Sequence, residues 1–200
     1  MLSHSYSDKI GREAGIDEAG RGPGAGPVVA AAVILPLEFF HPKLNDSKKM
    51  SPKSRDEVYE VLISTPGLKY GIGVIQPAEI DSMNILNAAI KAMHLAIASL
   101  ETMPEYLIID GNQFKPYADI PHSCIVKGDS KYTSIAAASV IAKVTRDRMM
   151  DELDKEFPGY NWAKNKGYIT PDHIAAIKKL GKNEHHRKTF HIPGLAEPIF

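Results

Sequence analysis

Residues 16–35 read IDEAGRGPGAGPVVAAAVIL and join two acidic residues to a glycine-rich loop and an apolar run. The run 28–35 begins with β-branched valines and stops before Pro36, which is typical of a buried strand. The loop has four glycines, and a backbone without Cβ atoms can approach a phosphate or a sugar closely. The carboxylates of Asp17 and Glu18 would repel a phosphate unless a divalent cation lay between them. The stretch therefore indicates metal-dependent chemistry on a phosphodiester.

Outside this stretch, strand-like and helix-like apolar patterns alternate, which predicts an α/β domain. Ser51-Pro52 and Thr170-Pro171 each put a capping residue before a proline, and this pair is a common helix start. Further strands are predicted at 70–75, 106–109 and 123–126, and further helices at 85–100 and 130–156.

Acidic residues lie at the ends of several of these elements. Asp17 is expected to end the first strand, Asp110 ends another, and Asp129 stands at the start of the long helix. Because the working crevice of an open α/β sheet lies outside its strand ends, these acids could meet at one edge. Neighbouring strand side chains point to opposite faces, so Glu18 can join Asp17 only if the strand breaks there.

Each acid also has a plainer interpretation. Asp129 could be the N-cap of its helix, a role that contributes about 1 kcal/mol. Asp110 and Gly111 form a common turn pair, and residues 17–18 could be an ordinary surface loop. The placement of three acidic points beside a glycine loop favours the functional interpretation over these alternatives.

Carboxylates without a nearby cysteine fit hard cations such as Mg²⁺ or Mn²⁺. Two such ions about 3.5–4 Å apart can activate water on one side of a phosphodiester and stabilise the leaving oxygen on the other. Cys124 is the only cysteine, which excludes an intrachain disulfide and a cysteine-based zinc site. The chain also lacks a Gly-x-Ser-x-Gly nucleophile motif.

Several longer motifs occur together in one order along the chain. They are GIDEAGRGP at 15–23, DSKK at 46–49, NIL at 84–86, IDG at 109–111, KGDSKY at 127–132, IAAAS at 135–139, AKVTRD at 142–147 and NKGY at 165–168. On these motifs the chain resembles the ribonuclease HII family, the type 2 ribonucleases H, from about residue 15 to residue 190.

The resemblance implies a ribonuclease H-like fold, with a mixed five-stranded sheet flanked by helices and a small C-terminal helical region. It implies an endonuclease that cleaves the RNA strand of RNA–DNA hybrids. It also implies cleavage 5′ of single ribonucleotides embedded in duplex DNA, leaving 3′-hydroxyl and 5′-phosphate ends, with a role in ribonucleotide removal and primer processing.

The resemblance also implies roles for individual residues. Four carboxylates would be catalytic and would bind Mg²⁺ or Mn²⁺, with two metal ions expected: Asp17, Glu18, Asp110 and Asp129. The segment Gly20-Arg21-Gly22 would contact the ribose 2′-hydroxyl, largely through its backbone. Tyr168 would stack on the sugar of the next nucleotide, although a packing role is its plainer alternative. Lys48 is a candidate phosphate contact, whereas Lys143 and Arg146 are expected on the helix surface.

Four positions depart from the pattern that the resemblance leads us to expect. Gly24 replaces a bulkier residue, Met50 a leucine, Asn165 a histidine and Thr189 a serine. None of the four is a proposed ligand, so they bear on loop rigidity and substrate preference.

The chain is expected to fold as one unit, with a catalytic domain at 1–158 and a basic substrate-binding region at 159–200 packed on it. Net charge is zero, yet residues 161–191 carry seven lysines or arginines against two acids. Such a stretch is either a solvated surface or a contact with a phosphate backbone. Residues 1–15 show no apolar core of the kind that a signal peptide needs, and the longest apolar run, 28–35, is far too short for a membrane span. We therefore expect a cytoplasmic protein, by default a monomer.

These observations argue against three other functions. Gly20, Gly22 and Ala25 match a dinucleotide-binding fingerprint, but that motif requires a helix directly after it and a strand-like run follows instead. A non-catalytic nucleic-acid binder would leave the acids unexplained. A zinc site would need histidines at ligand spacing, so solvated or phosphate-contacting histidines are expected at positions 173, 185, 186 and 191.

Overall fold

The structure, a computed structural model, describes residues 2–6 and 11–195. The strands are β1 (Glu13–Ala19), β2 (Val28–Ile34), β3 (Lys69–Ile75), β4 (Tyr106–Asp110) and β5 (His122–Ile125). The helices are α1 (Pro52–Ser64), α2 (Pro77–Met83), α3 (Ile85–Ala98), α4 (Thr133–Glu156), α5 (Trp162–Asn165) and α6 (Pro171–Leu180). A single 3-10 turn, Gly128–Ser130, precedes α4.

The five strands form one mixed sheet in the order β3-β2-β1-β4-β5. The first three strands pair antiparallel, whereas β4 pairs parallel with both β1 and β5. The predicted mixed sheet is therefore confirmed. Since β1, β4 and β5 run in the same direction, their carboxyl ends meet at one edge of the sheet.

One face of the sheet is covered by α3. Its alanine-rich stripe packs against Ile16, Ile75 and Ile109 from three different strands. The helix lies close to β3 because Gly71 and Gly73 face it, and a Cβ atom at either position would collide with its backbone. Burial of this apolar area contributes roughly 25 cal/mol per Å² to the stability of the fold.

The other face is covered by α4, with α1 beside it. The α4 segment 135–142 is buried throughout, and its small side chains pack against Ala31 and Val33 of β2. Gly15 of β1 lies against the backbone of Ser134, where a Cβ atom would have no space. The central helix is thus fixed directly behind the end of β1 that carries the acids.

A third apolar cluster joins the end of α4 to the C-terminal segment. It contains Met150, Trp162 and Ile177, together with Ala25 of the glycine loop. Gly24 donates its backbone N–H to the carbonyl of Gly167, 3.0 Å away. The region that follows α4 therefore packs against the glycine loop.

The sequence predictions miss the exact start of α4 and the short helix α2. The long helix was predicted from residue 130 but begins at Thr133, since residues 128–130 form the tighter 3-10 turn. Helix α2 was not predicted, because its seven residues are too few to show a clear helical period. Among the described residues, no helix combines the length and apolarity required to cross a bilayer.

Candidate active site

The parallel pairing of β1 and β4 brings two acids together. Its register matches Gly15 with Ile108 and Ile16 with Ile109, so the next residues, Asp17 and Asp110, lie side by side. Both are at the carboxyl end of the parallel strands, where α/β proteins commonly bind ligands.

Asp129 reaches the same point from the 3-10 turn that precedes α4. The backbone N–H of Gly128 donates to Asp110 Oδ1 at 2.7 Å, which ties this turn to the end of β4. The N-cap of α4 is Tyr132, and no side chain caps the helix there. The capping interpretation of Asp129 is therefore wrong.

Carboxylate oxygens of Asp17, Asp110 and Asp129 lie within 4.8 Å of one another, a spacing that suits metal ligation. Asp17 and Asp129 are almost fully buried. Burial, and then the charges of Glu18 and Asp110, hold the pKa of Asp17 well above its usual value. Burial and the charge of Asp110 raise the pKa of Asp129 to about 6. Crowded buried carboxylates of this kind are stabilised by a bound cation, so the residues fit a metal site.

Glu18 lies beside this triad but outside it. Strand β1 continues to Ala19 instead of breaking at Glu18. The Glu18 carboxylate nevertheless lies near the triad, because its charge raises the pKa of Asp17 and the charge of Asp110 acts on it in turn. Glu18 Oε1 accepts a hydrogen bond from Arg21 Nη1 at 3.1 Å. Its Oε2 atom is buried and has no hydrogen-bond partner among the described residues. An orphaned buried carboxylate oxygen is costly, and a cation would satisfy it. Glu18 thus stays a predicted ligand.

Three neighbours of the triad were not singled out from the sequence. The Ser139 hydroxyl on α4 hydrogen-bonds to Asp17, and Ser47 Oγ lies 2.7 Å from Ser139 Oγ. Asp46 lies close enough to Asp129 to hydrogen-bond with it and to raise its pKa further. The motif at 46–49 drew attention to the segment that contains Asp46 and Ser47. Their position next to the triad depends on the path of that loop, which the sequence does not specify.

Lys48 lies beside the acidic triad. Partial burial lowers its pKa, but the attraction of four carboxylates outweighs burial and raises the pKa overall: Asp17, Asp129, Asp46 and Asp110. A cation at this position compensates part of the negative charge and leaves an exposed amine for a phosphate. Its phosphate contact stays a prediction.

The sequence predicts that the glycines leave the loop backbone open to a ligand, but most of them do not. A Cβ atom at Gly20, Gly24 or Gly26 would collide with protein side chains. Gly20 also has a positive φ of +96°, which other residues adopt only with strain. Only Gly22 has space around it, and a Cβ atom there would make an ordinary 3.6 Å contact with the Tyr168 ring. Most of these glycines thus serve the packing of the loop, and Gly22 is the one open to a ligand.

Tyr168 lies on the surface beside Gly22, with 48% of its area exposed. The turn before it is held by Asn165, whose amide group donates to Tyr160 O and accepts from Gly167 N, each at 2.8 Å. The ring is therefore presented to solvent on a fixed backbone, and its stacking role stays a prediction.

Two expectations about basic side chains were wrong. Arg146 is 1% exposed instead of lying on the surface of α4. His173 and His186 are also buried, because their rings pack with Tyr160 and Trp162. Trp162 donates to His173 Nε2 at 3.0 Å, so His173 Nδ1 carries a proton and donates to Tyr168 O at 2.9 Å. These histidines support the Tyr168 turn from within.

The β3-β2-β1-β4-β5 sheet between two helical layers, with acids at the ends of β1 and β4, defines a ribonuclease H-like nuclease. The sequence model of Ribonuclease HII matches residues 14–192, and the chain belongs to this family. It is therefore a ribonuclease H, from a family of metal-dependent endonucleases that act on RNA–DNA substrates.

Similar proteins cover nearly the whole chain. The ribonuclease HII of Christiangramia forsetii is 55% identical over 185 residues, 92% of each chain. That of Porphyromonas gingivalis is 54% identical over 190 residues, covering 95% of this chain and 94% of the relative. The crystal structure of ribonuclease H2 from Pyrococcus horikoshii superposes with a TM-score of 0.76 at 26% identity, over 91% of this chain and 95% of that one.

Proposed function

We propose that this ribonuclease H cleaves the RNA strand of RNA–DNA hybrids and cuts duplex DNA 5′ of single embedded ribonucleotides. Its products would be a 3′-hydroxyl and a 5′-phosphate, and its role would be ribonucleotide removal and primer processing. The observation that carries the proposal is the triad Asp17, Asp110 and Asp129, whose ligand oxygens gather within 4.8 Å. It lies at the sheet edge from which the glycine loop leaves β1.

The triad would bind Mg²⁺ or Mn²⁺, with Glu18 as a further ligand of a two-metal site. Both ions prefer carboxylate oxygens, and the described site offers no sulfur or imidazole ligand. When bound, such ions lower the pKa of water and stabilise charge on the leaving oxygen. Metal binding requires the carboxylates to be deprotonated, so it competes with protons on Asp129, whose pKa is about 6.

The protein's own groups would orient the substrate for hydrolysis. The water oxygen bonds to phosphorus, the bond to the 3′ oxygen breaks, and a proton ends on that oxygen. Lys48, held among the acids, would contact a phosphate oxygen near the scissile bond. Ser139 and Gly128 donate to Asp17 and Asp110 and keep those carboxylates in place.

Recognition of ribose would come from the loop beside the triad. A 2′-hydroxyl distinguishes RNA from DNA at a single position, and it can both donate and accept hydrogen bonds. Gly20, Arg21 and Gly22 offer backbone groups for this contact. The Tyr168 ring beside Gly22 would stack on the adjoining sugar, since aromatic platforms are common in nucleic-acid sites.

The site is built from one chain, which supports a monomer as the active form. A single cysteine without a disulfide is consistent with a reducing compartment, and we propose the cytoplasm.

The experiment maps cut positions on a labelled duplex that contains one ribonucleotide, with Mg²⁺, with Mn²⁺ and without either. We expect one cut 5′ of the ribonucleotide only when a cation is present. The all-DNA duplex of the same sequence is the matched control and should stay intact. Equal cutting of the two duplexes would contradict ribose recognition, and cutting in excess chelator would contradict the metal site.

A further inference from the structure

Two arginine side chains are buried directly beneath the glycine loop. Arg146 is 1% exposed and Arg187 is 0% exposed. Within the described residues, neither forms an ion pair with a carboxylate. Arginine is almost never fully buried unless its charge is paired, so two such residues in one place need an explanation.

Arg187 binds the carbonyls at both ends of the loop. Its Nη2 donates to Gly20 O at 2.6 Å, its Nη1 to Arg21 O at 3.1 Å, and its Nε to Gly26 O at 3.1 Å. The backbone N–H of Arg187 also donates to Gly24 O at 2.8 Å. One residue thus holds most of the turn from its inner side.

Arg146 completes this inner layer from helix α4. Its Nη2 donates to Ala25 O at 3.1 Å, its Nε to Pro27 O at 2.9 Å, and its Nη1 to Lys166 O at 2.9 Å. A Cβ atom at Gly20 would collide with this guanidinium. The glycine at position 20 therefore makes room for Arg146.

The carbonyl directions fix the directions of the N–H groups. In a trans peptide the C=O and N–H point to opposite sides. The carbonyls of Gly20 and Arg21 point inward to Arg187, so the N–H groups of Arg21 and Gly22 point away from it. The exposed ring of Tyr168 is a neighbour of this part of the loop, since a Cβ atom at Gly22 would lie 3.6 Å from it.

We infer that Arg187 and Arg146 are positioning residues for ribose recognition. Arg187 turns the N–H groups of Arg21 and Gly22 toward the substrate's 2′-hydroxyl, and Arg146 holds the other end of the loop in place at Ala25 and Pro27. The inference rests on the proposed function and adds the residues that set its specificity. Neither arginine touches the substrate. Each acts through the loop backbone.

Burying the two guanidinium groups has an electrostatic cost, and this cost lowers the pKa of each arginine. Burial lowers the pKa of Arg146 to about 10, and burial together with the charge of Arg146 lowers the pKa of Arg187 to about 9. Both stay charged at neutral pH, so two positive charges lie beneath a loop that faces an anionic substrate. A buried charge is a weak source of stability, and its use here is better explained by the orientation of the loop.

The test replaces the planar fork while the charge is kept. Lysine has three donors on one atom and cannot reach carbonyls at both ends of the loop. The variant Arg187→Lys is made in an Asp110→Asn background, so that the duplex stays uncut. Dissociation constants are then measured for a duplex with one ribonucleotide and for the all-DNA duplex of the same sequence.

We expect Arg187→Lys to reduce the preference for the ribonucleotide duplex at least about tenfold, the effect of losing roughly 1.4 kcal/mol. The affinity for all-DNA duplex should change less than about twofold. Arg148→Lys is the matched control: it makes the same substitution on α4, at an exposed residue paired with Glu60. It should keep the parent's preference.

An unchanged preference in a folded Arg187→Lys protein would overturn the inference, as would an equal loss of affinity for both duplexes. If the parent itself shows no preference and the enzyme with Asp110 makes no cut at the ribonucleotide, the proposed function has failed instead. Where circular dichroism shows that Arg187→Lys is unfolded, Arg146→Lys disturbs fewer loop carbonyls and gives the same readout.

Discussion

The protein compensates buried charge in opposite ways in two regions. One is the sheet edge, where the buried charge is negative, and the other lies beneath the glycine loop, where it is positive. Asp17 and Asp129 are crowded against other acids, and Glu18 Oε2 has no partner among the described residues. Arg146 and Arg187, in contrast, donate from every guanidinium nitrogen to backbone carbonyls. The first arrangement leaves ligand oxygens that fit a cation, whereas the second is complete within the protein.

This difference separates two tasks. A site that must bind ions has to leave ligand oxygens unsatisfied, and the protein accepts the resulting repulsion. A support for that site has to keep one conformation, which a fully hydrogen-bonded network provides. The comparison predicts that changes at the sheet edge affect catalysis before folding, while changes in the support affect specificity or stability.

The largest effect is expected at the sheet edge. Asp110→Asn removes a charge from the triad, and cleavage of a duplex with one ribonucleotide should fall at least about a thousandfold. The fold should persist, because repulsion among the carboxylates is relieved and the amide oxygen can still accept the hydrogen bond from Gly128. Single-turnover kinetics and thermal melting measure the two effects. Asp119→Asn, an exposed acid in the loop after β4, should be neutral, and near-normal turnover by Asp110→Asn would end the assignment.

The buried histidines of the C-terminal region predict how stability depends on pH. Burial and the neighbouring His173 lower the pKa of His186 to about 4. As the pH falls below 6.5, the unfolded chain takes up a proton that folded His186 does not. Stability therefore decreases with falling pH, and by pH 4 this group accounts for about 3 kcal/mol of that decrease.

His186→Gln cannot titrate, so its free energy of unfolding should fall less between pH 7 and pH 4 than that of the parent. Urea unfolding at several pH values measures this. His122→Gln on β5 controls for the loss of one histidine and should keep the parental slope. Parallel pH curves for His186→Gln and the parent would show that His186 is not buried as a neutral ring.

Tyr168 lies beside Gly22 of the glycine loop. A variant at this position therefore tests whether the supported loop presents an aromatic contact to the substrate. Stacking of a nucleotide on an aromatic ring contributes about 1–3 kcal/mol, so Tyr168→Ala should slow cleavage at a single ribonucleotide about tenfold or more. Because the ring is 48% exposed, the melting temperature should change little. Tyr70→Ala, an exposed tyrosine on the distant edge strand β3, should leave the rate unchanged. A normal rate for Tyr168→Ala would leave the ring with a packing role only.

The smallest effect is expected at Lys48. Lys48→Gln should raise the KM for the duplex about threefold to fivefold, since a partly exposed charge contributes about 0.5–1 kcal/mol. The increase should shrink at high salt, because screening weakens the contact that is lost. Lys49→Gln is the neighbouring control: the Lys49 side chain is 60% exposed, and its amine lies 3.9 Å from Asp46. Equal KM values for the two variants would remove Lys48 from the site.

Helix α4 shows how much of the structure the sequence pattern predicts. A helix was predicted over 130–156, and Ile135, Ala138 and Ala142, which recur at helical spacing within it, are buried. Arg146 is the next residue at helical spacing, and that spacing was a signal of its burial. The charge of the side chain argued against burial. Two of the three carbonyls that accept its hydrogen bonds belong to residues more than a hundred positions earlier, so the sequence did not show how the charge is compensated. Arg187 carried no comparable signal, since it lies outside any helix or strand.

The sequence by itself determined the alternation of strands and helices, the acids at strand ends and the family, because these depend on local patterns and short motifs. The tertiary structure alone decided which oxygens converge, that β1 runs past Glu18, and that loop glycines accommodate Arg146. The physical reason is that sheet register and the return of the C-terminal segment are long-range contacts. They are fixed by packing between distant residues, and no local stretch of the chain encodes them.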